Sequence, residues 1–261
     1  MTAAVMVMVL VAMSYASNVL DARLAENEFS SNKQFMATTG LQIDDVSWTA
    51  GRIQTITYTS RFGQVKYQSL ALNYSVELHS TSGWETVLSN ITTGMITYNM
   101  PINKYNLGNN YNESISPRDN KSFLQQGPTA PVSRVFVVEQ LPMNDGNFIR
   151  IIAVPTIRTL NSSIISQSSS TAYYKFFLPT LQPSGVNPQL SQSVTMVGHD
   201  VVKVIRNNVD QVKMTLAFPN AGNGFNSTFF GFETTVETKV LPANSVVEFY
   251  VGNVIVTVGQ V

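Results

Sequence analysis

The first twenty residues of this chain, MTAAVMVMVLVAMSYASNVL, contain no charged side chain, and Asp21 is the first one. Twenty helical residues rise by about 1.5 Å each and span roughly 30 Å, which is the thickness of the hydrocarbon core of a bilayer. A segment of this length and composition is stable in lipid or in the core of a protein assembly. Any fold of the chain therefore has to keep this segment out of water.

Four interpretations of the segment are open. A cleaved secretory signal fits the small-x-small site Ser14-Tyr15-Ala16, although no Lys or Arg precedes the apolar run. A plain membrane anchor fits the length. A third possibility is a helix that crosses the membrane first and becomes the core of a filament afterwards. The fourth is a strand, because the continuous apolar run from Val5 to Val11 suits a strand that is buried on both faces.

The residues after the apolar run favour a helix. Their less polar positions are separated by steps of three and four residues, and no Pro precedes Pro101. This heptad stripe consists of Ala22, Ala25, Phe29, Asn32, Met36, Thr39, Ile43 and Val46. It predicts one continuous helix from about residue 3 to residue 46, longer than about 60 Å, with an amphipathic second half. We expect the charged residues of that half to face outward, namely Asp21, Arg23, Glu26, Glu28 and Lys33.

Beyond Trp48 the apolar residues alternate with polar ones, as they do in strands. We predict about eleven short strands, among them Ile53 to Thr59 and Thr228 to Val240, with turns at Asn144-Asp145-Gly146-Asn147 and Asn207-Asn208. A long loop is expected at residues 99–132, and a Ser-rich loop or polar edge at residues 162–171. The fold class is therefore α+β, with a helical region over residues 1–46 and an antiparallel β-sandwich, Ig-like or related, over residues 47–261.

An apolar helix that continues into an amphipathic half and then into a cysteine-free β domain resembles the archaeal type IV pilin-like family, which includes pilins and archaellins. Residues 1 to about 46 carry the resemblance. It implies a structural subunit of an extracellular filament at an archaeal cell surface, passing through a membrane before assembly. Two features depart from the family: Val5 stands where many pilins have a glutamate, and no basic leader precedes the apolar run. A sequence that begins at the processed end would explain the missing leader, whereas a pilin-type peptidase would have nothing to cut if Met1 is the initiator.

We predict that the subunits associate with one another through their N-terminal helices. The side chains expected to make this contact are Val5, Val9, Leu10, Met13, Leu20, Leu24, Phe29 and Met36. One alternative is a donor-strand filament, in which the run from Val5 to Val11 is inserted into the next subunit. Another is a monomeric anchored adhesin or carbohydrate-binding module, which a surface cluster of Trp84, Tyr98, Tyr105 and Tyr111 would support.

Catalytic and cofactor motifs are scarce. The chain has no Cys and only two His, so thiolate chemistry and histidine-rich metal sites are not expected. His199-Asp200 lacks a nucleophile motif, and we interpret Gly222-Asn223-Gly224 as a loop and Asp44-Asp45 as the solvated end of the helix. We therefore predict neither an enzyme nor a cofactor.

The charge balance limits the partners. Lys plus Arg and Asp plus Glu each number 16, and charged residues make up 12% of the chain. A protein that binds nucleic acid through phosphate contacts needs a basic surplus. We therefore expect no nucleic-acid partner.

Six Asn-x-Ser/Thr sequons make glycans a further candidate partner. The possible acceptors are Asn90, Asn112, Asn120, Asn161 and Asn226, and Asn73 is less suitable because it falls within a strand run. Among them, Asn112, Asn120 and Asn161 are expected in loops.

Overall fold

The computed structural model describes residues 2–165, 170–185 and 191–259. Its first element, helix α1, extends from Thr2 to Ser47 over 46 residues, which corresponds to about 70 Å. The prediction of one long helix is confirmed. Past its end, Gly51 has a φ of 78°, a left-handed conformation that favours glycine. Its N–H donates to the carbonyl of Gly198 at 2.8 Å, so the chain turns back at once onto the β domain.

The rest of the described chain is mostly strand. The strands are β1 Ile53–Thr57, β2 Gln64–Ser80, β3 Gly83–Pro101, β4 Tyr111–Ser116, β5 Leu124–Gln126, β6 Ser133–Glu139, β7 Phe148–Pro155, β8 Ile157–Ile165, β9 Ser170–Pro183, β10 Ser193–Ala217 and β11 Val236–Gly259. A 3-10 turn, Ala221–Asn223, and a short helix α2, Ser227–Phe230, connect β10 to β11. The α+β class is confirmed.

The strands form one sheet in the order β4-β6-β7-β3-β2-β10-β11-β9-β8-β5, and β1 pairs with β10 beside this path. The prediction of a purely antiparallel sheet is wrong, because β9 runs parallel to β11 and β5 runs parallel to β8. Alternation along a sequence shows which face of a strand is buried, but the direction of its neighbours depends on connections between distant segments.

Several boundaries also differ from the predictions. The segment from Ser193 to Ala217 is one strand of 25 residues, and the predicted turn at Asn207-Asn208 is a register shift within it. Such a bulge bends a strand without ending it. The first part of the predicted strand Thr228 to Val240 is α2 and a turn. The predicted loop at 99–132 contains β4 and β5, and the Ser-rich stretch begins in β8, while its residues 166–169 fall outside the described ranges.

Two apolar clusters lie on opposite faces of the sheet. Along β6, Val135 and Val137 face the second half of α1, whereas Phe136 and Val138 belong to the other cluster, because successive side chains of a strand point to opposite sides. The cluster beneath α1 contains Phe29, Met36, Ile43 and Val46 from the helix. Gly198 and Gly252 lie under the end of α1, where a Cβ atom would collide with the carbonyls of Val46 and Ser47. Glycine at these two positions lets the helix rest directly on β10 and β11.

Phe29→Ala tests the attachment of the helix. The Phe29 ring is 1% exposed, and its centroid lies 5.0 Å from that of Tyr105 and 6.3 Å from that of Tyr98. Its removal leaves a cavity, and we expect a loss of about 3–5 kcal/mol in the free energy of unfolding. Urea unfolding of the full chain in mild detergent measures this. The exposed control Ser30→Ala should change stability by less than about 0.5 kcal/mol, and equal effects of the two variants would show that Phe29 does not anchor the helix.

Candidate assembly surface

The first half of α1 projects into solvent. Every side chain from Val5 to Leu20 is exposed, and the large apolar ones range from 45% exposed at Val19 to 72% at Tyr15. Val5, Val9, Leu10, Met13 and Leu20, which we predicted to contact other subunits, all belong to this surface. Exposed apolar surface of this extent marks a site of interaction with protein or membrane.

This segment is also the feature of the described structure that meets the length and hydropathy of a membrane span. The core helix of a soluble protein satisfies the same criteria, but it is covered by its own fold. In this chain the apolar part of the helix is not covered by the fold. The segment is helical throughout, so the structure gives no support to the donor-strand interpretation, which requires an extended conformation between Val5 and Val11.

The second half of α1 packs on its own β domain. All members of the heptad stripe except the exposed Ala22 are buried, which agrees with the sequence pattern. Phe29 and Met36, which we included among the inter-subunit contacts, are 1% and 0% exposed within the single chain. They are therefore unavailable to a neighbour, and that part of the prediction is wrong. Leu24 is half-buried at the transition between the two halves.

Glu28 fastens the helix to the turn between β1 and β2. Its carboxylate accepts hydrogen bonds from the backbone N–H groups of three consecutive residues, at 2.9 Å from Arg61, 3.1 Å from Phe62 and 3.0 Å from Gly63. The hydroxyls of Ser60 and Tyr98 donate to it at 2.8 and 2.7 Å. The prediction that Glu28 faces solvent is wrong, since it is the main polar link between helix and domain.

The environment of Glu28 favours its charged form. Burial by itself raises the pKa of the carboxyl group, but the hydrogen bonds from Gly63, Tyr98, Arg61 and Ser60 together outweigh it and hold the pKa below its ordinary value. Glu28 lies outside the charge-free segment, beside the β domain. The contact is therefore stable around neutral pH and weakens when the carboxylate takes up a proton.

Further ion pairs bind the helix to the domain. Lys33 lies 2.6 Å from the carboxylate of Glu113 in β4 and, contrary to our prediction, is only partly exposed. This hydrogen bond lowers the pKa of Glu113, although burial opposes it. At the end of the helix, Asp44 and Asp45 are paired at 2.7 and 2.6 Å with the residues Arg158 and Arg52. Asp44 and Asp45 are therefore partly exposed, as a solvated helix end would be, but each is also held in an ion pair, which the sequence interpretation did not include.

In the described ranges, the remaining polar motifs form separate side-chain pairs. His199 Nδ1 lies 2.8 Å from Asp200, and both side chains are largely exposed; His79 forms a separate pair with Asp210 at 2.6 Å. Asp145 is held by two hydrogen bonds of 2.7 Å from Arg150, which agrees with a turn at this site. Within residues 2–165, 170–185 and 191–259, no three His, Asp or Glu residues are grouped as metal ligands.

The aromatic residues proposed for sugar binding do not form one surface. Trp84 is 50% exposed at the hairpin between β2 and β3, where its ring contacts His79 edge-on with centroids 5.1 Å apart. Tyr98 is fully buried beside Glu28. Tyr105 and Tyr111 are half-buried and pack with the helix-side cluster. The predicted cluster is therefore absent from the described structure.

The sequons differ in accessibility. Asn90 and Asn161 are exposed, and Asn120 lies in a loop, where its side chain accepts a hydrogen bond from Ser122 N–H at 2.9 Å. Asn226 is half-buried and caps α2. Asn112 lies in β4 and Asn161 in β8, so the prediction of loops at these two sites is wrong. The amide of Asn112 lies beside Gly231 with its oxygen buried.

Comparisons of the chain with protein-family models, with curated proteins and with solved structures gave no match.

Glu28→Gln tests the polar link. A neutral amide has fewer acceptor sites for the donors around it, and we expect a loss of about 1–3 kcal/mol in stability at pH 7. Because the pKa of Glu28 is lowered in the folded protein, its contribution is present above its ordinary value of 4.5 and is lost as the pH falls below it.

Urea unfolding at pH 7 and at pH 3.5 measures this difference. The two proteins should differ less at the lower pH. Glu26→Gln is the matched control, because the ion pair of Glu26 is with the exposed Arg23 on the same helix, at 2.8 Å. A difference between wild type and Glu28→Gln that is the same at both pH values would contradict a role of the charge.

Proposed function

We propose that the chain is a structural, non-enzymatic subunit of an extracellular pilus-like filament that assembles through its N-terminal helices. The observation that supports this most directly is the division of α1. Its second half is fixed to the β domain by a buried stripe and by Glu28, and its first half presents apolar side chains on all sides. A helix that is apolar all round is stable only when other helices or lipid surround it.

The helix is continuous, and this sets the geometry of assembly. The exposed segment from Val5 to Leu20 is about 24 Å long and extends from the β domain without a break in the helix. Copies that bundle these segments would keep the β domains outside the bundle. Before assembly the same segment would reside in a membrane, since its transfer from lipid to a helix bundle keeps its apolar surface out of water.

We place the β domain outside the cell, where adhesion or other surface contacts would occur. Its two apolar clusters on opposite faces support a layered, sandwich-like domain. We propose that its layered packing is related to that of Ig-like sandwiches. The parallel pairs β9–β11 and β5–β8 depart from the antiparallel form of such sandwiches.

Leu10→Asp tests the proposal. Leu10 is 66% exposed in the single chain, so the change leaves the β domain folded, but it places a charge in the interior of the bundle. Burial of an unpaired carboxylate costs several kcal/mol per subunit. We expect electron microscopy to show no filaments, while circular dichroism of the β domain stays as in wild type.

Ser82→Asp is the control, since Ser82 is exposed in the turn between β2 and β3, outside the helix. It should assemble normally. Normal filaments from Leu10→Asp would contradict the proposal. A wild-type chain that remains a monomer in mild detergent and forms no filament after detergent removal would favour the anchored adhesin or carbohydrate-binding module.

Glycosylation provides a test of the extracellular location. On the native protein we expect glycans at Asn90 and Asn161, because both side chains are exposed, and none at Asn112, whose amide is packed beside Gly231. Mass spectrometry of glycopeptides identifies the occupied sites. Occupancy at Asn112 together with bare Asn90 and Asn161 would contradict this assignment.

A further inference from the structure

Between Asn27 and Leu41, the outward side of α1 carries no charge. Asn27, Ser31, Gln34, Thr38 and Leu41 are all exposed, and Leu41 is 62% exposed. Steps of four, three, four and three residues separate them, so they form one line along the helix. This line lies opposite the buried stripe. We call it the outer seam.

A surface helix usually carries its charged residues on the side that faces water. Here most of the charged side chains of α1 are bonded to the β domain. Glu28 and Lys33 bond to the turn after β1 and to Glu113, and Asp44 and Asp45 bond to arginines of the domain. Arg23, which is exposed, precedes the seam and pairs with Glu26. The outer seam is thus uncharged although the same helical turns contain ionised residues.

The outer seam is continuous with the apolar half of the helix. The same steps of three and four residues, continued towards the N-terminus, reach Leu24, Leu20, Ser17, Met13, Leu10 and Met6. An uncharged line therefore extends along most of α1. Its first part is apolar, and its second part consists of uncharged polar side chains and Leu41. The next step reaches Asp45, whose carboxylate is paired with Arg52 at 2.6 Å.

We propose that the outer seam is the binding site for the apolar helix half of a second copy of this chain. This inference rests on the proposed function and names the contact that assembly makes. A parallel neighbour displaced by three heptads, or about 31 Å, would bring the two lines into register. The pairs across the contact are then Met6 with Asn27, Leu10 with Ser31, Met13 with Gln34, Ser17 with Thr38 and Leu20 with Leu41.

The chemistry of the seam fits this occupant. Side chains such as Ser31 and Thr38 permit close approach of two helices, and no charge loses its hydration when an apolar helix covers them. The contact joins different surfaces of the two copies, so each copy still offers one free surface to the next. It can therefore propagate along a filament.

The absence of cysteine allows a direct test by disulfide formation. In Leu20→Cys/Leu41→Cys the two thiols of one chain are about 31 Å apart along the helix, too far for a bond between them. We expect mild oxidation of assembled filaments to give a ladder of covalent multimers on non-reducing gels, which disappears on reduction. Met13→Cys/Gln34→Cys tests the same register at a second position.

The matched control is Leu20→Cys/Ser82→Cys, which pairs the same helix position with a site outside the helix. It should give no ladder beyond dimers. Filaments that form normally but yield no ladder from either seam pair would overturn the inference and leave the proposed function intact. Failure of the wild-type chain to form filaments would instead contradict the proposed function.

Gln34→Glu provides an independent test that needs no cross-link. Gln34 is exposed, so the monomer remains folded, but the new charge would be covered by an apolar helix. We expect at least a tenfold loss of filament mass in sedimentation, with Ser82→Glu unchanged. Equal filament mass for the two variants would show that the outer seam faces water.

Discussion

The hydrogen bonds between the Glu28 carboxylate and the turn at residues 60–63 determine the orientation of α1 relative to the β domain. Apolar contacts also hold the helix on the sheet, but they are not directional, and each of the other ion pairs, such as Lys33–Glu113 and Asp44–Arg158, joins only two side chains. Three backbone N–H groups and two hydroxyls that converge on one carboxylate fix both the rotation and the height of the helix on the sheet. The apolar half therefore projects in one defined direction from the domain.

The sequence predicted the long helix and its buried side well, because a stripe such as Ala25, Phe29 and Met36 follows directly from helical geometry. It did not show whether that stripe meets its own domain or a neighbour, and Phe29 and Met36 were assigned to the wrong partner. Periodicity describes one element at a time. The partners of Glu28 are 32 to 70 residues further along the chain, and a local pattern contains no information about them.

The prediction of the sheet was limited in the same way, because a local pattern does not show which strands pair. Alternation predicted most strands in the right regions but missed β4 and β5. The continuity of β10 through Asn207-Asn208 depends on pairing with β11, which a bulge accommodates. The direction of β9 relative to β11 also depends on the order in which distant segments meet. For the candidate assembly surface, the charge-free segment was sufficient to predict exposed apolar residues. The uncharged outer seam became recognisable only when the ion pairs showed where the charges of α1 are directed.

The continuity of α1 has a mechanical consequence. The helix has no Pro and its first Gly is Gly40, so it lacks the usual causes of a kink between the apolar half and the attached half. In the proposed filament, tension along the core would be transmitted to the β domain through this continuous helix. The force would then act where the end of α1 contacts Gly198 in β10 and Gly252 in β11. These strands have 25 and 24 residues and are joined by a long ladder of hydrogen bonds. Because the two strands pair along most of their length, this contact is supported by many backbone hydrogen bonds rather than by one.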